Sequence, residues 1–193
     1  MIHVVIIVGS TRQHRLADRV LKWVHQEAQN MQKWDVQVVD LKKYKLPIYD
    51  SETLPAAMSE TYADVHVTKW SRAVKQADAF LFLTPEYNHG VPAPLKNAID
   101  WLYEEWADKP AGIIGYSSSP IGGARAIEQL RNILATLAVP TVKTGLTIGK
   151  AQDIITESGE CKEITLQNVL HTEFTQLDAW GKAMLHLHKE NNK

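Results

Sequence analysis

Three short polar segments of this chain each follow an apolar run and precede a helical pattern, and they hold most of the residues able to do chemistry. The middle one, Thr84-Pro85-Glu86-Tyr87-Asn88-His89-Gly90-Val91-Pro92, is the most informative. It lies between Ala79-Phe80-Leu81-Phe82-Leu83 and Ala93-Pro94-Leu95-Lys96-Asn97-Ala98-Ile99-Asp100-Trp101-Leu102, which reads as strand, turn and helix. In an open α/β sheet the turn at a strand's carboxyl end is where ligands sit, and this turn carries more directed polar groups than a connection requires. Pro85 and Gly90 can hold backbone close to a planar ring, Tyr87 offers an aromatic face, and Asn88 offers both donor and acceptor. Each has a plainer alternative: Glu86 as a helix cap, Tyr87 as half-buried packing, Asn88 as a turn former bonded to its own backbone. His89 is the residue of acid–base type here, and its ordinary pKa assigns it no role by itself.

The first polar segment, Gly9-Ser10-Thr11-Arg12-Gln13-His14-Arg15, can receive a phosphate through backbone N–H groups at a helix start, the hydroxyls of Ser10 and Thr11, and a guanidinium of Arg12 or Arg15. The competing reading is a capped turn with Ser10 or Thr11 as N-cap and solvated arginines. Neither G-x-G-x-x-G nor G-x-x-x-x-G-K-[ST] is present, so Rossmann-type dinucleotide binding and nucleoside triphosphate hydrolysis are both disfavoured. FMN, with one terminal phosphate, suits the turn better. The third segment, Tyr116-Ser117-Ser118-Ser119-Pro120-Ile121-Gly122-Gly123-Ala124-Arg125-Ala126, pairs small hydroxyls with two glycines that allow close backbone approach to a ring or ribityl chain. By itself it reads equally as an ordinary Ser/Gly loop.

The elements that must position these turns follow from periodicity. Ile2–Val8 is a continuous β-branched run suited to a strand buried on both faces, and Asp35–Leu41, Ala79–Leu83, Pro110–Tyr116 and Thr141–Ile148 supply four more strands. Helical spacing predicts helices over Leu16–Met31, His66–Gln76, Val91–Tyr103, Gly123–Leu137 and Glu163–Leu187. Pro92 and Pro94 fall in a first turn, where proline is tolerated. Residues 42–65 form a connection too long for a plain loop, predicting a binding or interface segment or short structure of its own. Alternating strands and helices without an internal repeat specify one α/β domain over residues 1–193. A three-layer sandwich with a five-stranded parallel sheet in the order 2-1-3-4-5 is expected. The three turns then follow strands one, three and four, which bracket the topological switch point.

In that order and placement, Gly9-Ser10-Thr11-Arg12 is similar to the G-S-x-R phosphate loop, the turn around Pro85-Glu86-Tyr87-Asn88 to the flavin-contacting turn, and Gly122-Gly123-Ala124-Arg125-Ala126 to the G-G-A-R-A segment of the NADPH-dependent FMN reductase family. That family includes quinone reductases, azoreductases and chromate reductases, and the resemblance spans roughly Ile2 to Leu146. Many relatives carry a small polar residue three places after the loop arginine, where this chain has Arg15. The resemblance implies the flavodoxin-like form of the sandwich, and FMN as cofactor with contacts from Gly9, Ser10, Arg12, Arg15, Leu16, Pro85, Glu86, Tyr87, Asn88, His89, Ser117, Ser118, Gly122 and Gly123. It implies NADPH or NADH as electron donor and a quinone, azo compound, flavin or metal oxyanion as acceptor. The chemistry then belongs to the flavin, and no side chain is expected to be catalytic. Hydride transfer needs no general acid at His89, which favours a shaping or contact role there. Arg125 is expected to pair with an acidic helix residue or a neighbouring subunit. Two other readings stay open: a one-electron flavodoxin-like carrier, disfavoured by the missing Thr/Ser-rich phosphate turn and strong acidity, and a non-enzymatic interaction protein using residues 42–65.

Bulk composition narrows the setting. The 193 residues carry a formal net charge of −1, giving no electrostatic case for nucleic acid or anionic membrane, so any phosphate site must be local. A single cysteine, Cys161, excludes an intrachain disulfide and fits a reducing compartment. No apolar run approaches the roughly 20 residues of a membrane span, and the strand beginning directly after Met1 leaves no room for a signal peptide, so a cytoplasmic protein is expected. A homodimer or homotetramer is expected from the resemblance alone. Trp70, Trp101, Trp106 and Trp180 are expected as core or interface aromatics, and His186 and His188, two apart, are not expected to bind metal.

Overall fold

The computed structural model describes residues 1–58 and 60–191, with side chains through Leu187. The strands are β1 (Ile2–Val8), β2 (Trp34–Asp40), β3 (Ala79–Pro85), β4 (Ala111–Tyr116) and β5 (Thr141–Ile148). They pair in parallel in the order β2-β1-β3-β4-β5, as expected from the alternation of elements. Every residue of β3 and β4 is buried, because helices cover both faces of the sheet. On one face Trp23, Val24, Phe174 and Leu177 pack against Ile2, Val4, Ile6 and Val8. On the other, Trp70, Val74, Leu95 and Trp106 pack against Val5, Ile7, Phe80 and Phe82. This split is the period-two alternation of β1 made physical.

The helices are α1 (Ala17–Gln29), α2 (Leu41–Tyr44), α3 (Val65–Lys75), α4 (Ala93–Asp100), α5 (Ala124–Thr136), α6 (Ala151–Ile154) and α7 (Ile164–Asn191). The short α2 and α6 were not legible from periodicity, since four residues make barely one turn. Helix α4 stops before the predicted Tyr103. Trp101 caps it and donates its indole N–H to the Pro47 carbonyl at 2.8 Å. The chain then enters a 3-10 turn, Glu104–Trp106, whose buried Glu105 accepts from Tyr62 Oη at 2.8 Å and Ser71 Oγ at 2.5 Å.

Those bonds also anchor the long connection between α2 and α3, which contains a second 3-10 turn at Pro55–Ala57. Asn97 on α4 holds another part of it, donating to the Pro47 carbonyl and accepting from the Tyr49 N–H, both at 2.8 Å. Trp70 and Trp106 are core residues, as expected, whereas Trp180 is substantially exposed.

The β4–β5 ladder loses register between Ala111 and Ile113, because two residues of β4 span the interval from Thr141 to Gly145 on β5. Fully buried Glu173 of α7 fills the gap. Its two carboxyl oxygens accept from the Ile113 N–H at 2.6 Å and the Leu146 N–H at 3.0 Å. A Cβ on Gly112 would stand 2.9 Å from that carboxyl, which accounts for glycine in the middle of a central strand. Burial pushes the Glu173 pKa up to about 8 against the opposing pull of the two amides.

Among the described residues no helix is long and apolar enough to cross a membrane, and no cluster of three metal-binding side chains occurs. The side chain of His188 lies outside the described residues.

Candidate functional site

The carboxyl ends of β1, β3 and β4 open onto a cavity of about 360 Å³. Of the predicted contacts, Ser10, Arg12, Arg15, Leu16, Pro85, Glu86, Tyr87, Ser117 and Ser118 line it. His14, Tyr116 and Gln152 line it as well and were not singled out from the sequence. The switch point of the sheet thus places its first, third and fourth turns around one space.

The first turn is not a simple helix cap. Helix α1 starts only at Ala17, with Leu16 as an N-cap that makes no side-chain bond, so neither Ser10 nor Thr11 caps it. The backbone N–H groups of residues 11–14 have no hydrogen-bond partner among the described residues. Successive free amides of this kind form a concavity that attracts anions. His14 reinforces it by adopting φ 47°, a left-handed conformation rare for a non-glycine residue.

The two arginines of this turn have divided roles. The Arg15 side chain is nearly buried, and its Nε, Nη1 and Nη2 atoms together donate four hydrogen bonds to protein acceptors. It grips Asp40 bidentately at 2.9 and 2.6 Å, bonds Asp18 at 2.9 Å, and donates to the Ser10 carbonyl. Arg15 thus lines the cavity with its guanidinium already committed to protein acceptors. Although burial opposes both shifts, the pair raises the guanidinium pKa above its ordinary value and holds Asp40 below the usual carboxylate range. Arg12 is exposed, has no ion pair among the described residues, and stands with its guanidinium carbon 5.8 Å from the Tyr87 ring centre. It keeps its donors available at the cavity.

The central turn is a two-residue hairpin in which Tyr87 and Gly90 exchange backbone bonds at 3.1 and 3.0 Å. Asn88 and His89 sit at its tip with φ 50° and 64°, the signature of a type I′ turn, where asparagine followed by glycine is the usual pair. Both tip residues are exposed, and neither is among the residues that line the cavity. The Val91 N–H, donated to Gln129 Oε1 at 2.6 Å, ties the hairpin base to α5. Tyr87 reaches back across the cavity to bond Ser10 Oγ at 2.9 Å, joining the first and central turns.

Glu86 is a cap, as its plainer reading had it. Its carboxylate accepts from the Arg125 N–H at 3.1 Å and pairs with the Arg125 guanidinium at 2.7 Å at the start of α5. Arg125 therefore meets the central turn, not an acidic helix residue. Burial opposes it, but the bonds to Arg125 lower the Glu86 pKa.

The third turn departs most from expectation. Gly122 and Gly123, with φ of +68° and +87°, face the protein's own backbone: a Cβ would lie 2.7 Å from Gly149 N and Tyr116 N respectively. They and Gly9, whose Cβ would meet Leu95 at 2.8 Å, pack strands to turns and do not line the cavity. Ser117 Oγ likewise closes its own loop, bonding Ser119 and the Gly122 N–H. Tyr116 and Gln152 line this side of the cavity, and the Tyr116 hydroxyl and Gln152 Oε1 are buried without a hydrogen-bond partner among the described residues. Burial drives the Tyr116 pKa well above its ordinary value, so the hydroxyl stays protonated. Gln152 sits in the one-turn helix α6 that follows β5, and the glycine-containing break Gly149-Lys150 at the strand end was the available signal for it.

Comparison with known proteins agrees with this geometry. Residues 2–153 match the family model described as NADPH-dependent FMN reductase. The NAD(P)H-dependent FMN reductase LOT6 of Saccharomyces cerevisiae is 40% identical over 146 residues, 71% of this chain and 75% of its own length. A quinone reductase of Pseudomonas putida is 29% identical over 168 residues, 84% of this chain and 86% of its own. The solved structure of FerB, an NAD(P)H:(acceptor) oxidoreductase from Paracoccus denitrificans, superposes with a TM-score of 0.74 and 24% identity, covering 96% of this chain and 98% of its own. At that identity the likeness establishes the fold.

Proposed function

The chain belongs to the NADPH-dependent FMN reductase family and is an FMN-dependent NAD(P)H oxidoreductase; we propose that the cavity at the ends of β1, β3 and β4 is where it holds FMN. The observation that carries this assignment is the pairing of free amides at residues 11–14 with two orphaned buried polar atoms, Tyr116 Oη and Gln152 Oε1. A buried polar atom without a partner costs about 1–3 kcal/mol, so such atoms persist where a ligand satisfies them. A phosphate suits the amides and Arg12. Polyol hydroxyls suit an oxygen that only accepts beside a hydroxyl that can donate. FMN joins both groups through one short chain, so the residues present fit it.

Each residue then has a physical task. The amides of 11–14 and Arg12 take the phosphate, with Ser10 beside them held in place by Tyr87. Gln152 and Tyr116 bind the polyol. Pro85 and the Tyr87–Gly90 hairpin brace the ring, where the Asn88 and His89 N–H groups have no hydrogen-bond partner among the described residues. Glu86 and Arg125 fix that hairpin against α5, and Arg15 fixes the phosphate turn against β2. When bound, the cofactor supplies two-electron chemistry, taking a hydride equivalent from reduced nicotinamide and passing electrons to an oxidised acceptor. The protein needs no catalytic side chain for that. Its contribution is to bind and orient, and to leave one face of the site open to donor and acceptor in turn.

The acceptor we infer is a small oxidised molecule: a quinone, azo compound, flavin or metal oxyanion. A cytoplasmic homo-oligomer is the assembly we infer. The buried free Cys161 and the exposed Leu54 and Tyr103 support that reading. Sedimentation of the FMN-loaded protein checks the assembly.

The function is tested by reconstitution with FMN, removal of free flavin, and titration with NADPH and NADH under nitrogen. Retention of one FMN per chain and bleaching of its visible absorption are expected. Stoichiometric binding of FAD in its place, or flavin that no nicotinamide reduces, would overturn the proposal.

A further inference from the structure

A second cavity, of about 550 Å³, lies on the other side of the phosphate turn, between α2 and α4. The loop separates the two spaces residue by residue. Ser10 and Arg12 line the cofactor cavity, and Thr11 lines this one. Its walls are otherwise of two kinds. One is cationic: Lys42 and Lys45, both exposed and with no ion pair among the described residues. Lys45 also holds φ 51° and ψ 41° as the C-cap of α2, a position where glycine is the easy choice. The other wall is apolar. Asn97 clamps the backbone on both sides of Ile48, at Pro47 O and Tyr49 N, and Ile48, 82% exposed, lines the cavity together with Pro94.

A large aliphatic side chain held in water by its neighbours' hydrogen bonds, facing two unpaired ammonium groups, suits a ligand with a flat apolar body and a compact anionic group. The donor of this reductase carries such a piece when it is phosphorylated at the adenosine ribose. We propose that the α2–α4 cavity receives the adenosine end of the reduced nicotinamide nucleotide, with Lys42 and Lys45 on its 2′-phosphate and Ile48 and Pro94 against the adenine. The chain thereby selects NADPH over NADH. This rests on the reductase reading and extends it to a residue-level basis for donor choice. The chain's net charge of −1 makes the point sharper, since no general positive field competes with two local cations.

The test compares wild type with the Lys42→Gln, Lys45→Gln double variant, both loaded with FMN. Because both lysines are exposed, thermal stability and FMN affinity are expected to match wild type. In the reductive half-reaction, kcat/KM for NADPH should fall roughly tenfold to a hundredfold, the usual weight of charge-assisted contacts, while that for NADH stays within about twofold. Calorimetry with 2′,5′-ADP should show binding to wild type that the variant loses, with 5′-AMP bound weakly and alike by both. An equal loss for both nucleotides, or no loss for NADPH, would overturn the proposal while leaving the reductase reading intact. A defect confined to reoxidation of the dithionite-reduced protein by an anionic acceptor would also overturn it, assigning the lysines to the acceptor. Failure of either nucleotide to reduce the wild-type flavin would instead remove the reading beneath it.

Discussion

The first and third turns around the cofactor cavity solve opposite problems. In the first, charged side chains are bonded to one another: Arg15 to Asp40 and Asp18, with Tyr87 closing over Ser10. In the third, the glycines and Ser117 bond or pack within their own loop, and Tyr116 and Gln152 are left with buried polar atoms unmet. The first turn has its Arg15 and Tyr87 contacts made within the protein and leaves the amides of residues 11–14 and Arg12 open. The other side carries the cost of buried polar atoms without a partner among the described residues, which the proposed cofactor would relieve. The contrast teaches that a residue's charge and its motif position do not identify it as a ligand; what matters is whether its hydrogen-bonding capacity is already engaged.

The sharpest way to break this comparison is to remove Arg15. Arg15→Ala leaves Asp40 nearly buried with only the Lys42 N–H for company, and is expected to lower stability by about 3 kcal/mol, the low end for breaking a buried pair. Urea denaturation measures it. The pH dependence has a matching sign. Asp40 is held below its ordinary pKa, so its stabilisation is full above the usual carboxylate range and lost as pH falls toward the folded value. The acid limb of the wild-type stability curve should therefore be steeper than that of the variant.

Gly123→Ala attacks the packing of the third turn. With φ at +87° and a Cβ 2.7 Å from Tyr116 N, it is expected to destabilise by about 2–3 kcal/mol even without flavin. If the melting temperature of FMN-free protein is unchanged, the glycine serves the ligand after all. Arg12→Ala should do the reverse. It should leave unfolding of the FMN-free protein alone and weaken FMN by roughly tenfold to a hundredfold in a fluorescence titration. Tyr116→Phe removes an orphaned hydroxyl, so the FMN-free protein should gain about 1 kcal/mol while FMN affinity falls severalfold. A loss of stability in that variant would mean the hydroxyl is satisfied without ligand. The smallest effect is expected at His89. His89→Gln should leave anaerobic flavin reduction within about tenfold of wild type, whereas a positioned acid–base group contributes about 10² to 10⁴. Stopped-flow reduction at saturating NADPH decides between them.

The sequence was most readable where a local pattern carries the answer. Ile2–Val8 and Thr141–Ile148 form strands at the predicted limits, because burial on two faces demands unbroken apolar runs. The three turns converge because sheet order follows from alternation. What escaped was pairing between distant residues. Nothing near Arg15 announces Asp40, 25 positions away, as the partner that occupies it. Gly122 and Gly123 invited a ligand reading because a glycine shows only that something comes close, not what. Tyr116 looked like the end of a strand, and Gln152 lies in a one-turn helix too short to have a period. Glu173 sat unnoticed in the predicted last helix, since an acidic residue in a helix ordinarily faces water.

That glutamate bears on the order in which the chain can acquire its shape. Beside the register break, the Ile113 and Leu146 amides donate to a side chain that follows β5 by some 25 positions. During synthesis from the amino terminus, β1 to β3 can associate as they emerge, but the β4–β5 seam keeps two buried donors unmet until α7 is available to dock. The last helix is thus a late-arriving fastener for the sheet. A ribosome-stalled chain ending before Glu173 should show rapid amide exchange at Ile113 and Leu146 while the amides of β1 and β3 are already protected.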